Sequence, residues 1–345
     1  MLIAKIIEND QLIQATQASN SEIYYCPGCK ARVQLKKGNI NIPHFAHING
    51  SNCDVSAEGE TVNHLQGKLA LFTLLKQKYD EVRLEPWLSQ IKQRPDLMVR
   101  KGKDWFVIEF QCATISLEKV QARTKGYRQL NYKVIWILGE NYQNKRLQAR
   151  TIAKFAIIYQ QQLQVAFWQP TKGIIWQAWW QIDGKSRVLK RQMMANQPQQ
   201  LLKLQQTVMQ SKPEIWPIQN ELYKIKRLVI GIPWECHPQY SLPGGLKVAQ
   251  WQVIIRVLLT LEKQPRTSFQ LMKLLTEFPW QRFGCLSVKK VQKIWLNYLL
   301  DDLISGGVIK RTGDKIVLVR TLKWFNTYQE KLQAKLKIDT TNFLS

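Results

Sequence analysis

Apolar residues along this chain change period several times, and each change predicts an element. Leu65, Leu69, Phe72 and Leu75 recur at i, i+4, i+7 and i+10, which predicts a helix from Glu58 to about Lys78. The pattern then tightens into short runs rich in β-branched and aromatic residues. Residues 82–88, 94–100 and 104–111 predict three strands, the last two joined by the basic turn Lys101-Gly102-Lys103. Residues 117–130 return to helical spacing, with Arg123 and Tyr127 one turn apart. Lys133-Val134-Ile135-Trp136-Ile137-Leu138 predicts a buried strand closed by Gly139. The order αβββαβ implies a mixed sheet with helices on its faces.

Either side of this block the pattern differs. Residues 2–7 and 12–16 predict two short strands around the turn Glu8-Asn9-Asp10. Beyond Gly139, residues 142–166 and 186–212 are rich in Gln and Lys with Leu and Met at helical spacing, which predicts solvated helices. Trp176, Trp179 and Trp180 between them predict a hairpin. Pro213, Pro217, Pro233, Pro238 and Pro243 predict a loop region. Helical spacing resumes over 248–262, 266–278 and 287–304, and Gly306-Gly307 ends the third helix. A basic hairpin around Thr312-Gly313-Asp314 follows. Helices closed by such a hairpin resemble a winged helix, a shape used both for DNA and for protein partners. The α/β chain therefore divides into 1–55, 56–150 and a mainly helical 151–345, with a winged-helix-like end at about 245–320.

Candidate chemistry lies where charge interrupts the apolar runs. Arg94-Pro95-Asp96-Leu97 puts an acid at the head of one strand, and Val107-Ile108-Glu109-Phe110-Gln111 puts a second inside the next. A carboxylate in such a strand is costly unless something pairs with it. Two strand carboxylates and one from a helix suit Mg²⁺ or Mn²⁺, and Glu60, His64 and Lys68 fall at i, i+4 and i+8 on one face of the first helix. Asp96 also suits a turn after Pro95, and Glu60 suits the positive end of a helix dipole. Together these residues predict a metal-dependent nuclease core. Asp96 and Glu109 hold the Mg²⁺, with Glu60 joining directly or through water.

A second metal centre is written upstream. In Tyr24-Tyr25-Cys26-Pro27-Gly28-Cys29, Pro and Gly supply a tight reversal that lets two thiolates converge on one Zn²⁺. Pro43-His44-Phe45-Ala46-His47 and Cys53 follow. Cys26 and Cys29 are two ligands, and the spacing does not decide which two of His44, His47 and Cys53 complete the set. A structural zinc knuckle fits these intervals better than a groove-reading finger.

Composition narrows the partner. Lys and Arg number 50 against 25 Asp and Glu, a formal +25, which favours a polyanion, nucleic acid before anionic membrane. Charge alone does not separate DNA from RNA. The first ten residues do not read as a signal peptide, since Glu8 and Asp10 interrupt a short apolar run. No apolar stretch reaches the length of a membrane span. The six Cys lack the spacing of a secreted disulfide framework, so a cytoplasmic location is expected. Cys112, Cys236 and Cys285 read as small buried apolar residues.

These motifs resemble the bacterial competence protein CoiA family. The likeness rests on His44-Phe45-Ala46-His47, Glu60-x-x-x-His64-x-x-x-Lys68, Arg94-x-Asp96, Glu109-Phe110-Gln111, Arg123-x-x-x-Tyr127 and Trp136-Ile137-Leu138. It covers about the first 140 residues by motif and the rest by length and order. The resemblance implies a nuclease-like domain of the PD-(D/E)XK class and a role in natural transformation. DNA, single-stranded on entry, is then the expected partner, and recombination proteins are further candidates. Gln111 departs from the Lys that usually ends the third motif of the wider class. Its amide orients water without carrying charge, and Lys68 is positioned to supply the missing cation. His64 acts as a base or ties the helix to the metal centre. Arg123 contacts a phosphate, and Tyr127 stacks on a base or packs against the sheet.

Overall fold

The computed structural model describes every residue except 39–41, 49–52, 54–60, 144–145 and 345, and for 214 and 337–344 it describes the backbone alone. It is a mixed α/β chain in two compact units. The first comprises 1–157, 164–177 and 283–285; the second comprises 158–163, 178–282 and 286–345.

The first unit opens with a small antiparallel sheet. Its strands are β1 (Ile3–Ile6), β2 (Leu12–Gln14), β3 (Tyr24–Tyr25), β4 (Arg32–Lys36) and β5 (His44–His47), in the order β2-β1-β3-β4-β5. Alternation builds it: Val33 and Leu35 of β4 are buried while Arg32, Gln34 and Lys36 face solvent. Its core gathers Ala4, Ile6, Tyr24, Cys26, Val33, Leu35 and Phe45.

Next come α1 (Val62–Lys76), β6 (Glu81–Leu84), β7 (Leu97–Lys101), β8 (Asp104–Gln111), α2 (Leu117–Gln129) and β9 (Lys133–Leu138). Thr61 caps α1 by accepting the His64 amide, and Ser116 caps α2 by accepting that of Lys119. β6, β7 and β8 form an antiparallel meander, and β9 adds parallel to β8. The first predicted strand is shorter than expected. It stops at Leu84 because Glu85 turns into the left-handed region at φ 47°.

Short helices α3 (Glu140–Gln143) and α4 (Ala149–Phe155) follow, then β10 (Ile157–Tyr159), β11 (Gln162–Gln169) and β12 (Gly173–Ile182). This corrects the helix expected over 142–166, whose second half is strand. Gln160 and Gln161 both take positive φ, 48° and 58°, and reverse the chain between β10 and β11. β11 pairs parallel with β9, so the first unit's sheet runs β11-β9-β8-β7-β6, with the start of β12 beyond β11. Leu65, Leu71 and Leu75 of α1 pack on Leu84, Leu97, Val99, Ile108 and Phe110 to form its core.

In the second unit, the end of β12 pairs antiparallel with β13 (Lys185–Leu189), so the predicted Trp hairpin is present while the start of the expected helix 186–212 is strand. Helix α5 (Gln197–Met209) covers the rest. The Pro-rich stretch also departs from the expected loop. It holds α6 (Trp216–Lys224) and short 3₁₀ turns, because Pro217 falls at the start of a helix, where its missing N–H costs nothing. After β14 (Leu242–Pro243) come α7 (Gln250–Lys263), β15 (Arg266–Thr267), α8 (Ser268–Leu275), α9 (Val288–Ser305), β16 (Ile309–Thr312), β17 (Lys315–Leu318) and α10 (Tyr328–Leu344). β15, β17 and β16 form a three-stranded sheet in that order. Among the described residues, no helix is long and apolar enough to cross a membrane.

Candidate active site and metal centre

Strand register brings the acids of the first unit to one end of its sheet. Leu84 pairs with Leu97 and Leu97 with Ile108, so Glu85, Asp96 and Glu109 each stand one residue beyond the same row. The Glu85 amide donates to the Asp96 carbonyl at 3.0 Å, which continues the ladder. Side chains alternate along β8. The ring of Phe110 faces α1 at Gly67, and Glu109 meets Arg123 and Tyr127 of α2 instead.

Asp96 sits among donors. Lys68 Nζ lies 3.0 Å from Oδ1, the Phe110 amide donates to Oδ2 at 2.8 Å, and His64 Nε2 lies 3.4 Å from Oδ2. Lys68 also donates to Glu85 Oε1 at 2.6 Å, and both of those side chains are 1% exposed. The second oxygen of Glu85 accepts the amides of Leu2 at 2.8 Å and Ile3 at 3.3 Å. Burial pushes the Asp96 carboxyl up, but Lys68, His64 and the Phe110 amide outweigh it and hold the group well below the usual carboxylate range.

Glu109 has its own cluster. Arg123 donates to Oε1 through Nε at 3.0 Å and Nη2 at 2.5 Å, and the Tyr127 hydroxyl donates to the same oxygen. Burial raises the Glu109 carboxyl, Arg123 opposes that, and the charge of Asp96 adds to it. The two acids therefore sense one another while each carries its own cation. Arg123 also donates to the Arg94 carbonyl at 3.0 Å. Arg123 is thus engaged by a carboxylate, and Tyr127 is fully buried, which is the packing alternative of its two expected roles. Gln111 points its amide at the Ala113 carbonyl, 2.8 Å away. Glu60 lies outside the described residues.

Helix α1 reaches this site because residue 67 has no side chain. A Cβ there would stand 2.2 Å from the Phe110 ring, so only Gly lets the helix lie this close to β8. Glu85 was not singled out from sequence. Its signal is an acid closing the run Val82-Arg83-Leu84, one residue before Pro86.

Asp96 and Glu109 fit a hard divalent cation in kind, since both offer carboxylate oxygens, one of Asp96 held by the Phe110 amide. Among the described residues they do not form a three-donor cage by themselves.

The knuckle does converge. Ligand atoms of Cys26, Cys29, His47 and Cys53 all lie within 4.8 Å of one another. A tetrahedral zinc with bonds of about 2.3 Å needs ligand separations of this order. The turn is tight: the Lys30 amide donates to the Cys26 carbonyl at 3.0 Å, and the Cys26 amide to Ala31 at 2.8 Å. His47 and Cys53 complete the set that spacing left open, and His44 does not join it. In a strand, residues three apart face opposite sides, so His44 and His47 of β5 cannot both face the thiols. His44 instead sets Nδ1 2.8 Å from the Ile42 carbonyl. Burial pushes the Cys29 thiol up to about 11, aided by the neighbouring Cys53 and Cys26. Burial, Arg94 and the chain's amino terminus lower His47. A neutral imidazole is the form that binds metal.

Comparison with known proteins finds two matches, both to one family. Residues 7–56 match the N-terminal domain of competence protein CoiA, and residues 60–212 match the nuclease-like domain of the same family. Over 126 residues the chain is 36% identical to the competence protein CoiA of Bacillus subtilis (strain 168). That match covers 36% of this chain and 34% of the relative, so it spans about a third of the relative's length. No solved structure matches the chain.

Proposed function

The chain belongs to the CoiA family, carrying its N-terminal and nuclease-like domains, and on that premise we propose that it is a cytoplasmic, metal-dependent DNA nuclease acting on transforming DNA. The observation that carries the reading is Lys68 Nζ, 3.0 Å from Asp96 Oδ1. Gln111 leaves the strand without a cation, and a helix supplies one beside the first acid. Asp96 and Glu109 are the residues to hold Mg²⁺ or Mn²⁺, which would activate water and neutralise charge at the scissile phosphate. Lys68 stabilises negative charge developing next to Asp96. His64 orients the Asp96 carboxylate, and Arg123 with Tyr127 fixes Glu109. The test is cleavage of single- and double-stranded DNA with Mg²⁺ or Mn²⁺. Asp96→Ala and Glu109→Ala should each lower it more than a hundredfold, and cleavage that survives both removes this site from the reaction.

A binding role without turnover is favoured by one observation. Arg123 and Lys68 already neutralise Glu109 and Asp96. It predicts salt-sensitive DNA binding by the wild type and Glu109→Ala alike, with no cutting by either.

We further read α7, β15, α8, α9 and the β16–β17 hairpin as a winged helix that contacts DNA, supported by the sheet order β15-β17-β16. Lys289, Lys290 and Lys293 are exposed on the first turns of α9, and Lys310, Arg311 and Lys315 on the hairpin. Reversing the charge of Lys310 and Arg311 together should weaken duplex binding about tenfold and reduce its salt dependence. Unchanged binding would assign this end to a protein partner such as a recombination factor.

A further inference from the structure

The acid row is not the only feature at its end of the sheet. Strands β8, β9 and β11 run parallel, so their carboxyl ends lie side by side, where open α/β sheets place their ligands. There the first unit holds a cavity of about 230 Å³ lined by Asn63, Gln66, Gly67 and Ala70 of α1, with Phe110 and Cys112, Glu140 and Asn141, and Trp168 and Pro170 at the three strand ends. Its volume is below the roughly 300–1,000 Å³ of pockets for drug-sized ligands, which suits one small planar group.

The lining is sorted by chemistry. Gly67, Phe110, Cys112 and Trp168 are buried, while Asn63, Gln66, Glu140 and Asn141 are exposed. The floor is thus apolar and aromatic, and the rim carries three amides and one carboxylate. Asn141 donates to the Cys112 carbonyl at 3.2 Å, which ties this rim amide to the end of β8. Burial, with the charges of Asp96 and Glu140, pushes the Cys112 thiol up to about 12, so the floor stays neutral. Amides and a carboxylate match the donors and acceptors on the edge of a nucleobase. A carboxylate at the rim disfavours a phosphate.

The cavity also abuts the proposed reacting centre. The Phe110 amide holds Asp96 while its ring lines the cavity. On α1, His64 and Lys68 face Asp96, and Asn63, Gly67 and Ala70, spaced i, i+4 and i+7, line the cavity. Two neighbouring stripes of one helix serve two neighbouring tasks.

We propose that this cavity is a nucleobase pocket that receives one unpaired base of single-stranded DNA beside the phosphate held at the acid row. The inference rests on the DNA-directed reading above and names its substrate as the unpaired strand. A base already outside a duplex enters at little cost, whereas one inside must first leave its stack. The pocket therefore makes the protein prefer single strands without reading the backbone.

The experiment uses binding alone, so it stands whether or not DNA is cut. Fluorescent single-stranded oligonucleotides, each with one abasic position, are titrated with the full chain without added divalent metal, and affinity is read by anisotropy. With wild type, one position is expected to cost about tenfold when its base is removed. Ala70→Leu, at an exposed helical position where Leu is well tolerated, fills the cavity and should abolish that positional penalty. Gln66→Ala, which removes a rim amide without adding bulk, should reduce it. Equal tolerance of abasic sites at every position, a penalty undiminished in both variants, or no binding of single strands would each overturn the proposal. Loss of cleavage with the positional penalty intact would instead count against the hydrolytic reading only.

Discussion

In the small N-terminal sheet, three thiols and an imidazole converge with their ligand atoms within 4.8 Å. At the end of the central sheet, three acids arrive with Lys68 and Arg123 already beside them. Both gather polar atoms away from water, but they balance the cost differently. The knuckle suits an outside cation, because four metal-type ligands crowded together gain little from one another. The acid row carries two cations in its own sequence, so its three carboxylates are partly balanced before any ion binds. A metal at the knuckle would therefore act as a folding element, whereas on the reading proposed above one at the acid row would serve chemistry.

The largest effect that could break this contrast is at the knuckle. Cys26→Ser or Cys53→Ser should remove zinc and unfold the N-terminal sheet, since structural zinc contributes about 10–16 kcal/mol of apparent binding free energy in small domains. Elemental analysis and thermal melting check this, and His44→Ala in the same assay should leave the zinc content unchanged. A chain that melts alike with and without its thiols would place the knuckle in the same class as the acid row. Next in size is Lys68→Met, which leaves Glu85 and Asp96 buried without their ammonium. It should cost about 3–5 kcal/mol in urea denaturation, with part recovered by Lys68→Met/Asp96→Asn.

The smallest effect is a pH dependence. The folded pKa of Asp96 lies below its unfolded value, so its contribution is full above about pH 4 and is lost as pH falls through the folded value. Glu109 is raised and acts with the opposite sign, losing stability as pH rises through its folded value. The stability gap between wild type and Asp96→Asn should therefore be widest near neutrality and shrink in acid. A gap constant with pH would mean that Asp96 is not held as an ion.

Much of this was legible in the sequence. The helices and strands between Val62 and Leu138 follow the apolar periods closely, because each buries one well-marked face. The acids stood out because Asp96 and Glu109 interrupt apolar runs. What escaped has identifiable causes. The β10–β11 reversal uses two glutamines in left-handed conformations, so no Gly or Asn announced it. Glu85 was hidden because its partner lies on α1 and two more of its donors are the amides of Leu2 and Ile3, more than 80 positions away. The choice among His44, His47 and Cys53 stayed open because it turns on which face of a strand each His occupies, and spacing alone does not show that the pair lies on a strand. Arg123 and Tyr127 were rightly linked as one helical turn, but what they meet is Glu109, a tertiary fact that spacing does not encode.

The missing methyl at position 67 has a consequence for how this protein tolerates change. A Cβ there would stand 2.2 Å from the Phe110 ring, and the same ring lines the cavity while its amide steadies Asp96. Even the smallest substitution would have to displace that ring into the cavity or move the helix that carries Lys68. The most conservative exchange in the genetic repertoire, Gly to Ala, thus disturbs both the support of Asp96 and the floor of the cavity, although residue 67 itself touches neither acid.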